Sequence, residues 1–146
     1  MGPRALIVDS GPLVAYVDVR ETDHEACLRL LVEHPGSLVV PHLVIAEVAY
    51  LIGSRQGPAP EIAFLGDLSA GRFLVDPVEP ADWERIAELV WRYRDLPLGT
   101  VDASVVATAE RLGIAEVATL DHRHLSVVRP RHVDALTLLP PEQPVA

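Results

Sequence analysis

Leu98-Gly99-Thr100-Val101-Asp102-Ala103-Ser104-Val105-Val106-Ala107-Thr108-Ala109 is the stretch around which the chain is organised. Gly99 and Thr100 end a loop, with Thr100 as a good N-cap. The apolar-rich run from Val101 to Leu112 predicts a mostly buried helix. Asp102 falls in its first turn, where free backbone N–H groups and the helix dipole favour a carboxylate. Capping alone accounts for one such acid. Three more, Asp9, Glu47 and Asp121, also stand where an acid needs an explanation. Four converging carboxylates would make a site for a hard divalent cation.

Asp9 ends the continuous apolar run of residues 4–8, the pattern of a strand buried on both faces. It precedes Ser10-Gly11-Pro12 and the apolar Leu13–Val17. It therefore either caps a short helix or lies on the strand-end edge where α/β sheets collect ligands. Glu47 is the single charge in Leu43–Ile52, a helical run apolar nearly all round. A buried, unpaired carboxylate costs several kcal/mol, so Glu47 needs an arginine partner or a cleft. Asp121 follows Ala115–Leu120, another short strand.

The remaining pattern fills in an α/β frame. Thr22 and Glu25 have capping-box spacing before a helix that runs to about His34. Leu38–Val40 reads as the second buried strand, closed by Pro41. Gly53–Pro60 reads as a loop, Glu61–Ala70 as a helix and Arg72–Val75 as a strand. The helix from Pro80 turns Trp83, Ile86, Leu89, Val90 and Tyr93 towards the core, with Glu84, Arg85, Glu88 and Arg92 outward. Trp83, Trp91 and Tyr93 can be read as core at helical spacing or as a base-stacking platform. His122–Leu125 is a loop or helical turn, and Leu136–Leu139 a last strand. Alternating strands and helices imply a parallel sheet covered on both faces, with Asp9 and Asp121 on its carboxyl edge.

Composition bounds the function. The chain has 146 residues, 49% hydrophobic and 23% charged, with a mean hydropathy of +0.24. That is one globular domain, residues 1–139, with a short tail over 140–146. No apolar run reaches the roughly 18 residues of a membrane span. Met1-Gly2-Pro3-Arg4 leads straight into the first strand without the parts of a secretory signal, so the cytoplasm is expected. The one cysteine, Cys27, lies in a helix and reads as core. A net charge of −9 argues against holding nucleic acid by a broad basic face. It leaves room for an enzyme that meets a phosphodiester through bound metal and a few arginines. An acidic surface also suits a basic protein partner.

All 12 basic residues are arginine, which removes every mechanism that needs a lysine. A phosphotransfer receiver is excluded on that ground. A haloacid-dehalogenase-like phosphatase would want a second Asp where Gly11 stands, and a dinucleotide-binding module lacks its glycine fingerprint. Four carboxylates without a cysteine cluster favour Mg²⁺ or Mn²⁺ over zinc. His122 and His124 flank Asp121, either as exposed loop residues or in contact with phosphate. Arg123, Arg129 and Arg131 form the local basic cluster, on a solvated loop or guiding an RNA backbone.

Val8-Asp9-Ser10-Gly11, the Glu47 helix, Thr100-Val101-Asp102-Ala103 and Ala118-Thr119-Leu120-Asp121 together resemble a PIN domain. With single-domain length and the segment Ser126-Val127-Val128-Arg129-Pro130, the chain is most similar to VapC-type toxins of toxin–antitoxin pairs. The resemblance covers nearly the whole chain. It implies a three-layer α/β/α sandwich with a central, mostly parallel sheet. It implies a Mg²⁺-dependent endoribonuclease, usually a homodimer, with a cognate antitoxin that covers or enters the acidic cleft. By residue match Asp9 and Asp102 are metal ligands, Glu47 holds metal or water, and Asp121 completes the set. Ser10 would orient Asp9, and Thr119 would orient Asp121. The chain departs from many relatives at His124, where they carry a further acid. Other readings are a PIN nuclease of RNA processing or of structured DNA, and a PIN-like module that only binds a partner.

Overall fold

The computed structural model describes residues 4–142. The expected tail is therefore described only as far as Glu142. Residues 143–146, and residues 1–3 of the expected leaderless start, lie outside the described residues. Five strands, β1 (Leu6–Val8), β2 (Leu38–Pro41), β3 (Leu74–Asp76), β4 (Glu116–Ala118) and β5 (Thr137–Leu139), form one all-parallel sheet in the order β3-β2-β1-β4-β5. The register pairs Ile7 with Val39 on one side and with Val117 on the other. Leu6, Ile7 and Val8 are fully buried, as befits the central strand of a sheet covered on both faces.

The crossovers are helical. α1 (Ser10–Val17) and α2 (His24–Glu33) link β1 to β2, and α3 (His42–Gln56) and α4 (Pro58–Ser69) link β2 to β3. α5 (Pro80–Arg92) and α6 (Thr100–Leu112) link β3 to β4, and α7 (His122–Leu125) lies between β4 and β5. Strand order runs outward from β1 through β2 to β3, then returns to the other side of β1. Right-handed crossovers then place α1–α4 on one face and the later helices on the other, giving three layers. The reversal falls between β1 and β4. That makes their carboxyl ends the place where such a sheet opens a crevice.

Several local expectations shift, each for a packing reason. Gly53–Pro60 is not a loop: α3 continues to Gln56, and Gly57 alone makes the turn at φ 92° before Pro58 starts α4. Gly53 lets the two helices close up, because a Cβ there would sit 2.6 Å from the Glu61 carboxylate. The Thr22–Glu25 capping box does not form. α2 starts at His24, whose Nδ1 lies 2.7 Å from the Ala15 carbonyl of α1, so tertiary contact sets the helix start. Gly99 rather than Thr100 is the N-cap of α6, which leaves Asp102 in the first turn as expected.

The α5 face is rotated from the expected one. Asp82, Arg85, Ile86 and Leu89 are buried, whereas Trp83 and Trp91 are 51% and 68% exposed. Arg85 turns inward because Glu110 of α6 meets it with two bonds of 2.8 Å. Arg111 of α6 likewise bonds Asp82. These pairs fix α5 and α6 as antiparallel neighbours.

Candidate active site

The four predicted acids meet in one cleft. It has a volume of ≈ 530 Å³ and is lined by Asp9, Ser10, Gly11, Glu47, Asp102, Leu120, Asp121 and His124. Asp9 sits directly after β1 and caps α1, accepting from the Ser10 amide at 2.8 Å through Oδ1. Its Oδ2 accepts from the Thr119 hydroxyl at 2.9 Å. The capping role and the place in the cleft thus coincide. Asp121 does not end a strand: β4 stops at Ala118, and Asp121 is the N-cap of α7. Its Oδ1 accepts from the His124 amide at 3.1 Å, and its Oδ2 lies 2.8 Å from His124 Nδ1.

Glu47, in the middle of α3, has no arginine partner among the described residues; its Oε1 accepts from the Ser10 hydroxyl at 3.2 Å. The ion-pair alternative is therefore not what the fold uses. Ser10 serves Asp9 with its amide and Glu47 with its hydroxyl, rather than orienting Asp9 with its side chain. Thr119 is likewise shared: its hydroxyl donates to Asp9 and accepts from the Asp121 amide at 3.0 Å. The sequence marks Thr119 only by its place two residues before Asp121. That a buried hydroxyl bridges both acids depends on β1 and β4 being neighbours.

Burial pushes the Asp9 carboxyl up to about 6, against the pull of the Ser10 amide and the Thr119 hydroxyl, and the charges of Asp102 and Glu47 add to the rise. Asp102 is raised by burial, then by Asp121 and Glu47, with His124 and the Gly99 amide opposing. The carboxylates face one another without closing on a point: among the described residues no three His, Cys, Asp or Glu side chains stand close enough to hold a metal ion between them. All four acids are oxygen donors, and their crowding is of the kind a cation relieves.

The flanking residues separate. His124 lines the cleft, whereas His122 faces a neighbouring hollow with Thr22 and Leu120. Arg123, Arg129 and Arg131 do not gather at the acids, and none lines the cleft. Arg131 instead pairs with Glu88 at 2.8 Å, while the Arg129 amide donates to the Tyr93 hydroxyl at 2.8 Å.

An all-parallel five-stranded α/β/α domain with its acids at the reversal of strand order defines the class of protein. The PIN domain family model matches residues 6–130. Ribonuclease VapC26 of Mycobacterium tuberculosis (strain ATCC 25618 / H37Rv) is 35% identical over 135 residues, which cover 92% of this chain and 100% of that relative. The chain belongs to the PIN domain family. Among solved structures, Mycobacterium tuberculosis VapC20, a sarcin–ricin loop cleaving toxin, superposes with a TM-score of 0.78 at 21% identity, over 88% of this chain and 98% of that one. VapBC2 from Rickettsia felis, bound to a DNA fragment from its promoter, gives a TM-score of 0.66 at 15% identity, over 92% and 96%. These two likenesses establish the fold.

Proposed function

We propose that this protein is a metal-dependent endoribonuclease and the toxin of a toxin–antitoxin pair. The observation that carries the reading is the convergence of Asp9, Glu47, Asp102 and Asp121, far apart in sequence, on one cleft. The identity of 35% to a relative named as a ribonuclease supports the same activity. Asp9 and Asp102 would hold the cation, Mg²⁺ or Mn²⁺, with Glu47 and Asp121 completing the acidic set. Such an ion, when bound, supplies an activated water and stabilises charge on a phosphoryl oxygen.

The chain's own residues do the positioning. Thr119 and the Ser10 amide fix both oxygens of Asp9. The Ser10 hydroxyl steadies Glu47, and His124 holds Asp121 through its amide and its ring. Carboxylates held this way cost little reorganisation when an ion or a phosphate arrives. The net charge of −9 suits neutralisation by a basic antitoxin segment, and a structural neighbour was solved as a VapBC assembly. A homodimer in the cytoplasm completes the proposal. No helix among the described residues is long and apolar enough to cross a membrane.

Cleavage of total RNA by the purified, antitoxin-free protein tests the proposal. Defined fragments in Mg²⁺ that disappear in EDTA are expected. RNA left intact in Mg²⁺ and Mn²⁺ by folded protein would favour a PIN-like module that only binds.

A further inference from the structure

Trp91, on the last turn of α5, is 68% exposed, and the Arg94 guanidinium lies over its ring at 4.0 Å from the centroid. Arg94 Nη1 also donates to the Trp91 carbonyl at 2.8 Å, which fixes the stack. Arg92 stands against the ring of Tyr93, and the Tyr93 hydroxyl receives the amide of Arg129. Arg85, Arg111 and Arg131 are engaged by carboxylates, whereas Arg92, Arg94 and Arg129 form no ion pair among the described residues. In a chain of net charge −9, Arg92 and Arg94 thus stand against two aromatic rings, with Asp95 as the acid interposed in the run. Arg129 is tied to the same place by its amide, while its Nη1 donates to the Asp134 carbonyl at 3.5 Å.

The place of this cluster follows from helix register. Arg85 meets Glu110, and Asp82 meets Arg111, so the antiparallel α5 and α6 bring the last turn of α5 level with the first turn of α6. That first turn carries Asp102. A second link leads to the same place: the segment from Asp121, in the cleft, reaches Tyr93 at Arg129.

We infer that Trp91 and Arg94 form a subsite at the rim of the acidic cleft for an unpaired base of RNA, with Arg92 and Arg129 on its phosphates, an inference that rests on the ribonuclease reading above. A base stacks on an indole or on a guanidinium plane, and unpaired arginines beside it neutralise the backbone. The subsite also answers how an acidic protein grips a polyanion: the acids bind cation, and the rim supplies the positive charge they lack.

The test is binding of a short, unstructured, 5′-labelled single-stranded RNA in EDTA, read by anisotropy, alongside cleavage of total RNA in Mg²⁺. Trp91→Ala and Arg94→Ala should each weaken binding about tenfold, and Trp91→Phe much less. In a Trp83→Phe background, the remaining indole fluorescence should be quenched as RNA is added, and less so by the same sequence as a duplex. Wild-type protein that cleaves RNA while all three variants bind like it would overturn the subsite and leave the nuclease standing. So would a Trp91→Ala protein that binds RNA normally but changes from dimer to monomer by light scattering. Wild-type protein that neither binds nor cleaves RNA would remove both readings.

Discussion

Thr119 ties Asp9 to Asp121. Its fully buried hydroxyl donates to Asp9 Oδ2 at 2.9 Å and accepts the Asp121 amide at 3.0 Å, so one side chain spaces two strand-end loops. Thr119→Val keeps the shape and removes both bonds, leaving the half-buried Asp121 amide and a buried carboxylate oxygen of Asp9 short of partners. Unfolding in urea should show a loss of about 1–3 kcal/mol. Mn²⁺ affinity, measured by calorimetry, should fall roughly 10–100-fold. Thr119→Ser restores the hydroxyl and should recover most of the affinity. Equal affinity in wild type and Thr119→Val would show that the acids are positioned by the backbone alone.

Asp9 makes the metal-free protein less stable as the pH rises. Its carboxyl titrates at about 6 when folded and at 3.8 in the reference state, so between these values the folded protein holds the extra proton. Stability therefore declines from about pH 4 to about pH 6, by about 3 kcal/mol in total. Asp9→Asn should flatten that part of the profile in urea unfolding at a series of pH values with EDTA present. Parallel profiles for the two proteins would mean that the buried carboxyl is not the source.

The Arg85–Glu110 pair carries the opposite sign. Burial alone would raise Glu110, but the Arg85 side chain and the Arg131 amide hold it below its ordinary 4.5. Its contribution is complete above that value and is lost as the pH falls through the folded-state titration. Both side chains are about nine-tenths buried. Arg85→Met strands the Glu110 carboxylate, so it should cost roughly 3–5 kcal/mol at neutral pH. Melting temperature measured against pH should show the deficit shrinking in acid.

The parts of this molecule that depend on neighbours in sequence are legible in the sequence. β1, β2 and β4 stand out as short apolar runs because both faces of a central parallel strand are covered. The four acids were visible because each breaks an apolar context, and the fold brings all four to one cleft. What depends on partners distant in sequence was hidden. Nothing local says that Arg85 turns inward, since its reason is Glu110 on another helix. Once Arg85 and Asp82 take the inner face, Trp83 and Trp91 are carried outward, against the expectation that Trp83 packs in the core. The hydroxyls of Ser10 and Thr119 reach unexpected carboxylates for the same reason: Glu47 on α3 and Asp9 at the end of β1 are acids that periodicity cannot pair with them. Gly57 hid the helical hairpin of α3 and α4, because a single left-handed residue replaced the long loop that the glycines and prolines suggested.

The most direct measurement is the rate of total-RNA cleavage in Mg²⁺ by wild-type protein beside Asp9→Asn and Asp102→Asn, with folding verified by circular dichroism. Defined fragments from wild type, at least about 100-fold slower in either variant, are the predicted result. Cleavage that survives both substitutions would contradict the account, because the activity would then arise somewhere other than the acidic cleft.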